Sequence, residues 1–286
     1  KCLIRGGIQM KIIDNLKKKF IKTHRWYKYY TKEQRKVEMP KVSLYEYVRI
    51  HNLDNMNGIA INYFGKKITY EEFFNSIDLC ARSLVSHGVR PGDVVSVCMA
   101  NTPEAVIAFY AINKVGAIAN MIHPLLPSDE IQQLVESTES VAVFIPDVVY
   151  DKVSKIKWNY APKIIIPCVK DALPVWMKPL YALKNRKRNI LNSGCENIYW
   201  NDLLKLADKS KLPADTGKAD DIAVILYTGG TTGTQKGAMF NNYSFTCYAV
   251  QPSEAGGVIM KGNRCLGVLP LFHGFGLALN VHAILA

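Results

Sequence analysis

Residues Asp220–Phe240 read DDIAVILYTGGTTGTQKGAMF, and this stretch decides the class of the chain. Ile222 to Tyr227 is an unbroken apolar run of strand length, as a strand buried on both faces requires. It runs directly into Thr228-Gly229-Gly230-Thr231-Thr232-Gly233-Thr234-Gln235-Lys236-Gly237. Glycine tolerates positive φ and lets a backbone approach a ligand closely. Successive main-chain N–H groups in such a turn can form an anion-binding nest. Four threonine hydroxyls can donate to phosphate oxygens, and Lys236 adds a positive charge on a flexible stem. Together these are the parts that hold the phosphates of a nucleotide. A Walker A loop needs Gly-Lys followed by Ser or Thr. Here Lys236 lies between Gln235 and Gly237, so an ordinary P-loop NTPase is disfavoured. The bland alternative is a structural surface loop.

Outward from this loop, strand-like and helix-like segments alternate. Ile59 to Tyr63 and Ile68 to Tyr70 are expected to form a hairpin through Gly65-Lys66-Lys67. A helix is expected from Thr69 or Tyr70, with Phe73, Phe74, Ile77, Ala81 and Leu84 on one side, ending near Gly88. Pro91-Gly92-Asp93 marks a turn before a buried strand from Val94 to Met99. Pro103 to Val115 reads as a helix, Ala117 to Ile122 as a strand, and Ser128 to Ser137 as a helix with Asp129 and Glu130 at its positive end. Val141 to Ile145 and Lys163 to Pro167 complete the strands. The alternation predicts an α/β fold, a largely parallel sheet layered between helices.

The 286 residues are 49% hydrophobic and 21% charged, which suits a packed core. The longest apolar stretch, Val94 to Ile122, is interrupted by Asn101, Glu104, Asn113 and Lys114, so no membrane-crossing helix is predicted. No secretory signal pattern opens the sequence. The seven cysteines are scattered and never spaced C-x-x-C. That disfavours a zinc site or a disulfide framework and fits reduced thiols in the cytoplasm. The net charge of +12 is concentrated in residues 1–41, where thirteen Lys/Arg face three Asp/Glu. The domain reading is therefore a basic arm at 1–41 and a globular unit at 42–286.

Within the arm, Ile12, Ile13, Leu16 and Phe20 recur at helical spacing among lysines. A solvated or docked arm is favoured over a helix on an anionic membrane. The segment 170–190 mixes Leu173, Val175, Trp176, Leu180 and Leu183 with Lys178, Lys184, Arg186, Lys187 and Arg188. Docking on its own domain is favoured there over a membrane-facing patch. Aromatics accompany the arm, but no recognition fold appears, so nucleic acid is not an expected partner.

The Tyr227–Gly237 segment closely resembles the phosphate-binding signature of adenylate-forming enzymes, YTSGTTGxPKG. Gly229 stands where Ser is usual, a variant familiar among long-chain fatty acid–CoA ligases. Gln235 stands where Pro is usual and is expected to loosen the loop. Asn241-Asn242-Tyr243-Ser244 replaces the frequent Thr-His-Arg-Asn. The resemblance extends in order through Ile68-Thr69-Tyr70-Glu71-Glu72, through Gly88 to Asn101, through Lys114-Val115-Gly116-Ala117, through His123-Pro124 and through Leu269-Pro270-Leu271-Phe272-His273-Gly274-Phe275-Gly276.

The resemblance implies the layered large N-terminal domain of that family, here incomplete. It also implies a two-step reaction. A carboxylate attacks the α-phosphate of Mg²⁺-bound ATP, and a thiol, usually coenzyme A, then displaces AMP. Thr228, Thr231, Thr232, Thr234, Lys236 and the main chain of Gly229, Gly230 and Gly233 would hold the β- and γ-phosphates. His273 would be the catalytic-site residue lining the carboxylate and acyl site, with Phe272 and Phe275 on the pocket wall. His123 is read instead as a satisfied core histidine.

The family's Y-G-x-T-E segment, whose Glu helps hold Mg²⁺, and its catalytic lysine are not in this sequence, so the chain is expected to be a fragment with little activity alone. A fatty acid is the expected substrate, from Gly229 and the insertion near Asp171. An aryl or medium-chain acid and a carrier-protein loading domain are the enzymatic alternatives. A non-catalytic nucleotide- or membrane-binding module is the alternative of another class. The expected location is cytoplasmic, with peripheral contact at the inner membrane face as the alternative.

Overall fold

A computed structural model describes residues 29–184, 197–205, 207, 217–228, 235–256 and 262–286. The helical pattern expected at Ile12 to Phe20 lies outside the described residues. Ser43 caps the first long helix, Leu44–His51, by accepting from the Glu46 N–H.

The hairpin follows, with β1 at Ile59–Tyr63 and β2 at Lys66–Thr69. Its turn is tighter than expected. Tyr63 pairs with Lys66, so only Phe64 and Gly65 connect the strands. Both have positive φ, 50° and 92°, as a two-residue hairpin turn matched to strand twist requires. Thr69 then caps the Tyr70–Ser86 helix in a reciprocal box with Glu72.

Seven further strands build the main sheet: β3 Val94–Val97, β4 Ile118–Met121, β5 Ala142–Phe144, β6 Lys163–Ile166, β7 Asn197–Tyr199, β8 Ile222–Thr228 and β9 Lys236–Asn241. Their spatial order is β7-β6-β5-β3-β4-β8-β9. Every pairing is parallel except β8 with β9. The expected α/β architecture is therefore present, with one antiparallel edge strand that the sequence reading did not assign.

Strand alternation divides the core in two. Val95, Val97, Ala119, Met121 and Phe144 point into the larger cluster, with Phe73, Phe109, Tyr110 and Phe245. Cys98, Ile122, Val143, Ile145, Ile164 and Ile166 point to the opposite face, against Ile131, Leu134, Val135 and Tyr150. The helices that do the covering follow from their sequences. Thr102 caps Pro103–Val115, proline occupies the first turn, and Gly116 closes the helix at φ 78°. Every residue of that helix is buried, and its middle is apolar on all sides, with Glu104, Asn113 and Lys114 near its ends. Ser128–Ser137 instead buries only Ile131, Leu134 and Val135, one stripe at helical spacing.

The cysteines with described surroundings are free. Cys80 and Cys98 are fully buried, and burial pushes the Cys98 thiol up to about 12, so both behave as small apolar residues.

In the 170–190 segment, the Val169–Ala172 and Lys178–Lys184 helices flank a 3₁₀ turn at Val175–Met177. Its docking differs from expectation. Ala172 and Leu173 are buried, and the Tyr181 hydroxyl donates to Asp147 Oδ2 at 3.3 Å. Val175, Trp176, Leu180 and Leu183 are exposed. Residues 185–190 lie outside the described residues. No helix among the described residues is long and apolar enough to cross a membrane.

Candidate functional site

Strand order locates the site. After β4 the chain crosses β3 to reach β5, whereas after β8 it moves outward to β9. Adjacent parallel strands whose connections leave in opposite directions open a crevice at their C-terminal ends, where α/β sheets bind ligands. Met121 pairs with Leu226, so His123, just beyond β4, and Thr228, the last residue of β8, leave the sheet at this crevice.

Thr228 and Lys236 are cross-strand partners at the connecting end of the β8–β9 hairpin, and both are exposed. The sequence between them leaves and returns at a single point on the sheet edge. Gly229, Gly230, Thr231, Thr232, Gly233 and Thr234 lie outside the described residues. The need for glycine at 237 is visible in the packing. A Cβ there would stand 3.0 Å from Ile225 Cγ2 and 3.3 Å from the Tyr227 ring, a tight fit that favours glycine where β9 lies against that ring. Burial raises the Tyr227 phenol above its ordinary pKa.

Gln235 does not leave the loop's closing end untethered. Its Nε2 donates to Glu130 Oε2 at 3.1 Å, joining the loop to the first turn of the Ser128–Ser137 helix. This pair has no local sequence signal, because its members are 105 residues apart.

The other wall comes from residues 262–276. Asn101, just beyond β3, holds this segment by three bonds. Its Nδ2 donates to the carbonyls of Gly267 (3.0 Å) and Leu269 (2.9 Å), and its Oδ1 accepts from the Leu271 N–H (3.0 Å). The chain then turns sharply. A Cβ on Gly276 would lie 2.1 Å from the Pro270 carbonyl oxygen, so the turn that presents His273 requires glycine. His273 is exposed, Phe272 is buried beneath it and Phe275 is exposed.

His123 is not the core histidine expected from the sequence. It is half-buried, its ring lies 4.1 Å from that of Phe272, and it meets the His273 ring edge-on at 6.5 Å. Its Nδ1 accepts from the Leu125 N–H at 3.0 Å, which leaves the proton of the neutral ring on Nε2. Burial, and then the neighbouring His273, hold its pKa below the ordinary histidine value. The local sequence could not show this, because the rings around His123 come from a segment about 150 residues later.

Thr228 and Lys236 thus lie at the same end of the sheet as the His123–His273 pair. Among the described residues, no group of three or more His, Cys, Asp or Glu converges as metal ligands would. An exposed lysine and hydroxyl at a loop's two ends suit a polyanion, and the apolar ring stack beside them suits the uncharged part of a ligand.

Residues 51–286 match the AMP-binding enzyme family. Over 224 residues the sequence is 30% identical to the long-chain-fatty-acid–CoA ligase of Bacillus subtilis, covering 76% of this chain and 40% of that one. Among solved structures, an anthranilate CoA ligase in complex with anthranoyl-AMP matches with a TM-score of 0.68 at 18% identity, over 88% of this chain and 43% of that one. The ATP-bound MatB of Rhodopseudomonas palustris matches with a TM-score of 0.62 at 21% identity, over 86% and 44%. At these identities the structural likeness speaks to the fold. The chain spans about 40% of the length of the curated ligase it matches.

Proposed function

Because the chain belongs to the AMP-binding enzyme family, we propose that the whole protein activates a carboxylic acid with ATP and passes the acyl group to coenzyme A. In the first step a carboxylate oxygen attacks the α-phosphorus, forming an acyl adenylate and releasing pyrophosphate. In the second step the thiol sulfur attacks the acyl carbon, AMP leaves and a thioester forms. The observation that carries this reading is the pairing of exposed Thr228 with exposed Lys236 at the sheet's switch point, at the same end of the sheet as His123 and His273.

The work asked of the residues is mainly electrostatic. Charge builds on the leaving pyrophosphate, and a lysine with main-chain and hydroxyl donors would stabilise it. Thr228, Lys236 and the intervening Gly229, Gly230, Thr231, Thr232, Gly233 and Thr234 are assigned to the β- and γ-phosphates. His273 is assigned to the carboxylate side, over the ring stack with Phe272. Magnesium, when bound, neutralises phosphate charge.

A fatty acid is the proposed substrate. The identity to the B. subtilis fatty-acid ligase supports it, as does Gly229. Peripheral membrane contact is proposed through Val175, Trp176, Leu180 and Leu183, which stay exposed while Tyr181 anchors their helix. An apolar row beside basic side chains suits an anionic lipid surface.

The test is acid-dependent ATP–pyrophosphate exchange by the full-length protein on a panel of fatty, aryl and short-chain acids, followed by detection of the CoA thioester. Exchange highest with fatty acids supports the reading. No exchange with any acid rejects it. Co-sedimentation with phosphatidylglycerol vesicles that is lost in Trp176→Ser/Leu180→Ser supports the membrane contact, and retention rejects it.

A further inference from the structure

Gln235 occupies the last position before β9, where a proline would stiffen the backbone by fixing φ. The structure gives this chain another means to the same end. The Gln235 amide donates to the Glu130 carboxylate across the mouth of the crevice, and both side chains are half-buried.

Glu130 sits on a rigid support. Its helix buries Ile131, Leu134 and Val135 in the second core. The approach to that helix is held by Lys152, whose ammonium donates to the Leu126 carbonyl at 2.8 Å. The bond therefore spans the switch point, from the connection after β4 to the connection after β8. A carboxylate acceptor makes such a bond stronger than a neutral pair would.

We infer that Gln235 is a positioning residue that, latched to Glu130, holds the start of β9 and so places Lys236 for a nucleotide's phosphates. The inference rests on the reading of this loop as the nucleotide site. It goes beyond that reading by assigning roles to two side chains outside the threonine–glycine–lysine pattern. The latch acts on nucleotide affinity and leaves the acid and thiol sites alone.

The experiment measures ATP binding calorimetrically, and KM for ATP, acid and CoA in turnover, in the full-length protein. Glu130→Ala and Gln235→Ala should each raise the Kd and KM for ATP about tenfold, the size expected for losing one charge-assisted bond. KM for the acid and for CoA should stay within about twofold. Because the two side chains act through one bond, the double variant should be no worse than about twofold beyond either single variant. Glu130→Gln keeps an acceptor and should recover most of the affinity. Gln235→Pro should restore ATP affinity in the Glu130→Ala background, since the ring supplies the stiffness directly. Thermal melts identify any variant that fails to fold, and the proline rescue separates positioning from folding.

If the wild type binds ATP and Glu130→Ala binds it equally well, or if the two losses multiply, the latch is overturned while the nucleotide site stands. If the wild type does not bind ATP, both are overturned.

Discussion

The two ends of the main sheet carry the same polar residue types in opposite circumstances. At the N-terminal ends of the strands they are buried and fully engaged. Asn242 Oδ1 accepts from the Leu44 N–H and from Asn113 Nδ2, and Asn242 Nδ2 donates to the Lys218 carbonyl. Asn113 Oδ1 accepts from the Tyr45 N–H. Lys114 is buried, donates to the Tyr45 hydroxyl and to Asp78, and lies over the Tyr45 ring. At the C-terminal ends, Asn101 ties down a wall of the crevice, while Lys236 and His273 face solvent. The lesson is that a motif's residue types do not give its role. Lys114-Val115-Gly116-Ala117 and the Lys236-Gly237 motif resemble the same family equally well, yet the first holds the fold and the second faces the site.

The asparagines give the sharpest way to break this contrast. Asn242→Ala strands the Leu44 N–H and the Asn113 amide in a buried place, and each orphaned group costs about 1–3 kcal/mol. Chemical denaturation should show a loss of roughly 2–4 kcal/mol. Asn101→Ala leaves its partners near solvent and should cost only about 1 kcal/mol, while lowering exchange activity because the wall that carries His273 is released. Equal losses of stability would remove the distinction.

The lysines come next and reverse the ranking. Lys236→Ala should leave stability within about 0.5 kcal/mol, as for an exposed side chain. It should lower ATP–pyrophosphate exchange by about 10²-fold, the usual effect of deleting one transition-state charge donor. Lys114→Ala should do the opposite, destabilising the fold by about 1–3 kcal/mol with activity per folded molecule retained. A Lys236→Ala protein with full exchange would remove that residue from the site.

How much of this was legible beforehand follows the same divide. Elements whose ends carry local chemistry could be read directly. Pro103–Val115 and Ser128–Ser137 begin and end where their proline, acidic first turns and glycine predict. Lys236–Asn241 was missed as a strand because its lysine and two-sided, half-exposed pattern lack alternation. Its strand character comes from pairing with β8, a tertiary effect. The Asn242–Gly256 helix was missed because it contains Pro252 and lacks a clear apolar stripe. In the site, Thr228 and Lys236 were legible because one contiguous turn holds them. The Gln235–Glu130 bond and the His123 ring stack join segments remote in sequence, and nothing local encodes them.

The histidines give the smallest effect and the clearest sign. His282, nine residues after His273 in the sequence, is fully buried. Its Nδ1 lies 3.1 Å from the Tyr110 hydroxyl and its Nε2 lies 3.2 Å from the Thr246 hydroxyl. Tyr47 and Phe245 pack against the ring. Burial, and then the charge of His51, lower its pKa from 6.5 to about 3. Above pH 6.5 the ring is neutral in both the folded and unfolded chain and contributes no pH dependence. Below it the unfolded chain takes up a proton that the folded chain refuses, so stability falls as pH falls, by about 1.4 kcal/mol per unit until the folded pKa is reached. At pH 5 this amounts to roughly 2 kcal/mol. Denaturation midpoints of wild type and His282→Gln should therefore converge as the pH drops from 7 to 5, because glutamine keeps hydrogen-bonding capacity without a titrating proton. His273→Gln, exposed at the rim, should lower exchange activity. A wild-type to His282→Gln difference that stays constant from pH 7 to 5 would mean that His282 is protonated within the fold, and the buried face would then lose its distinction from the crevice.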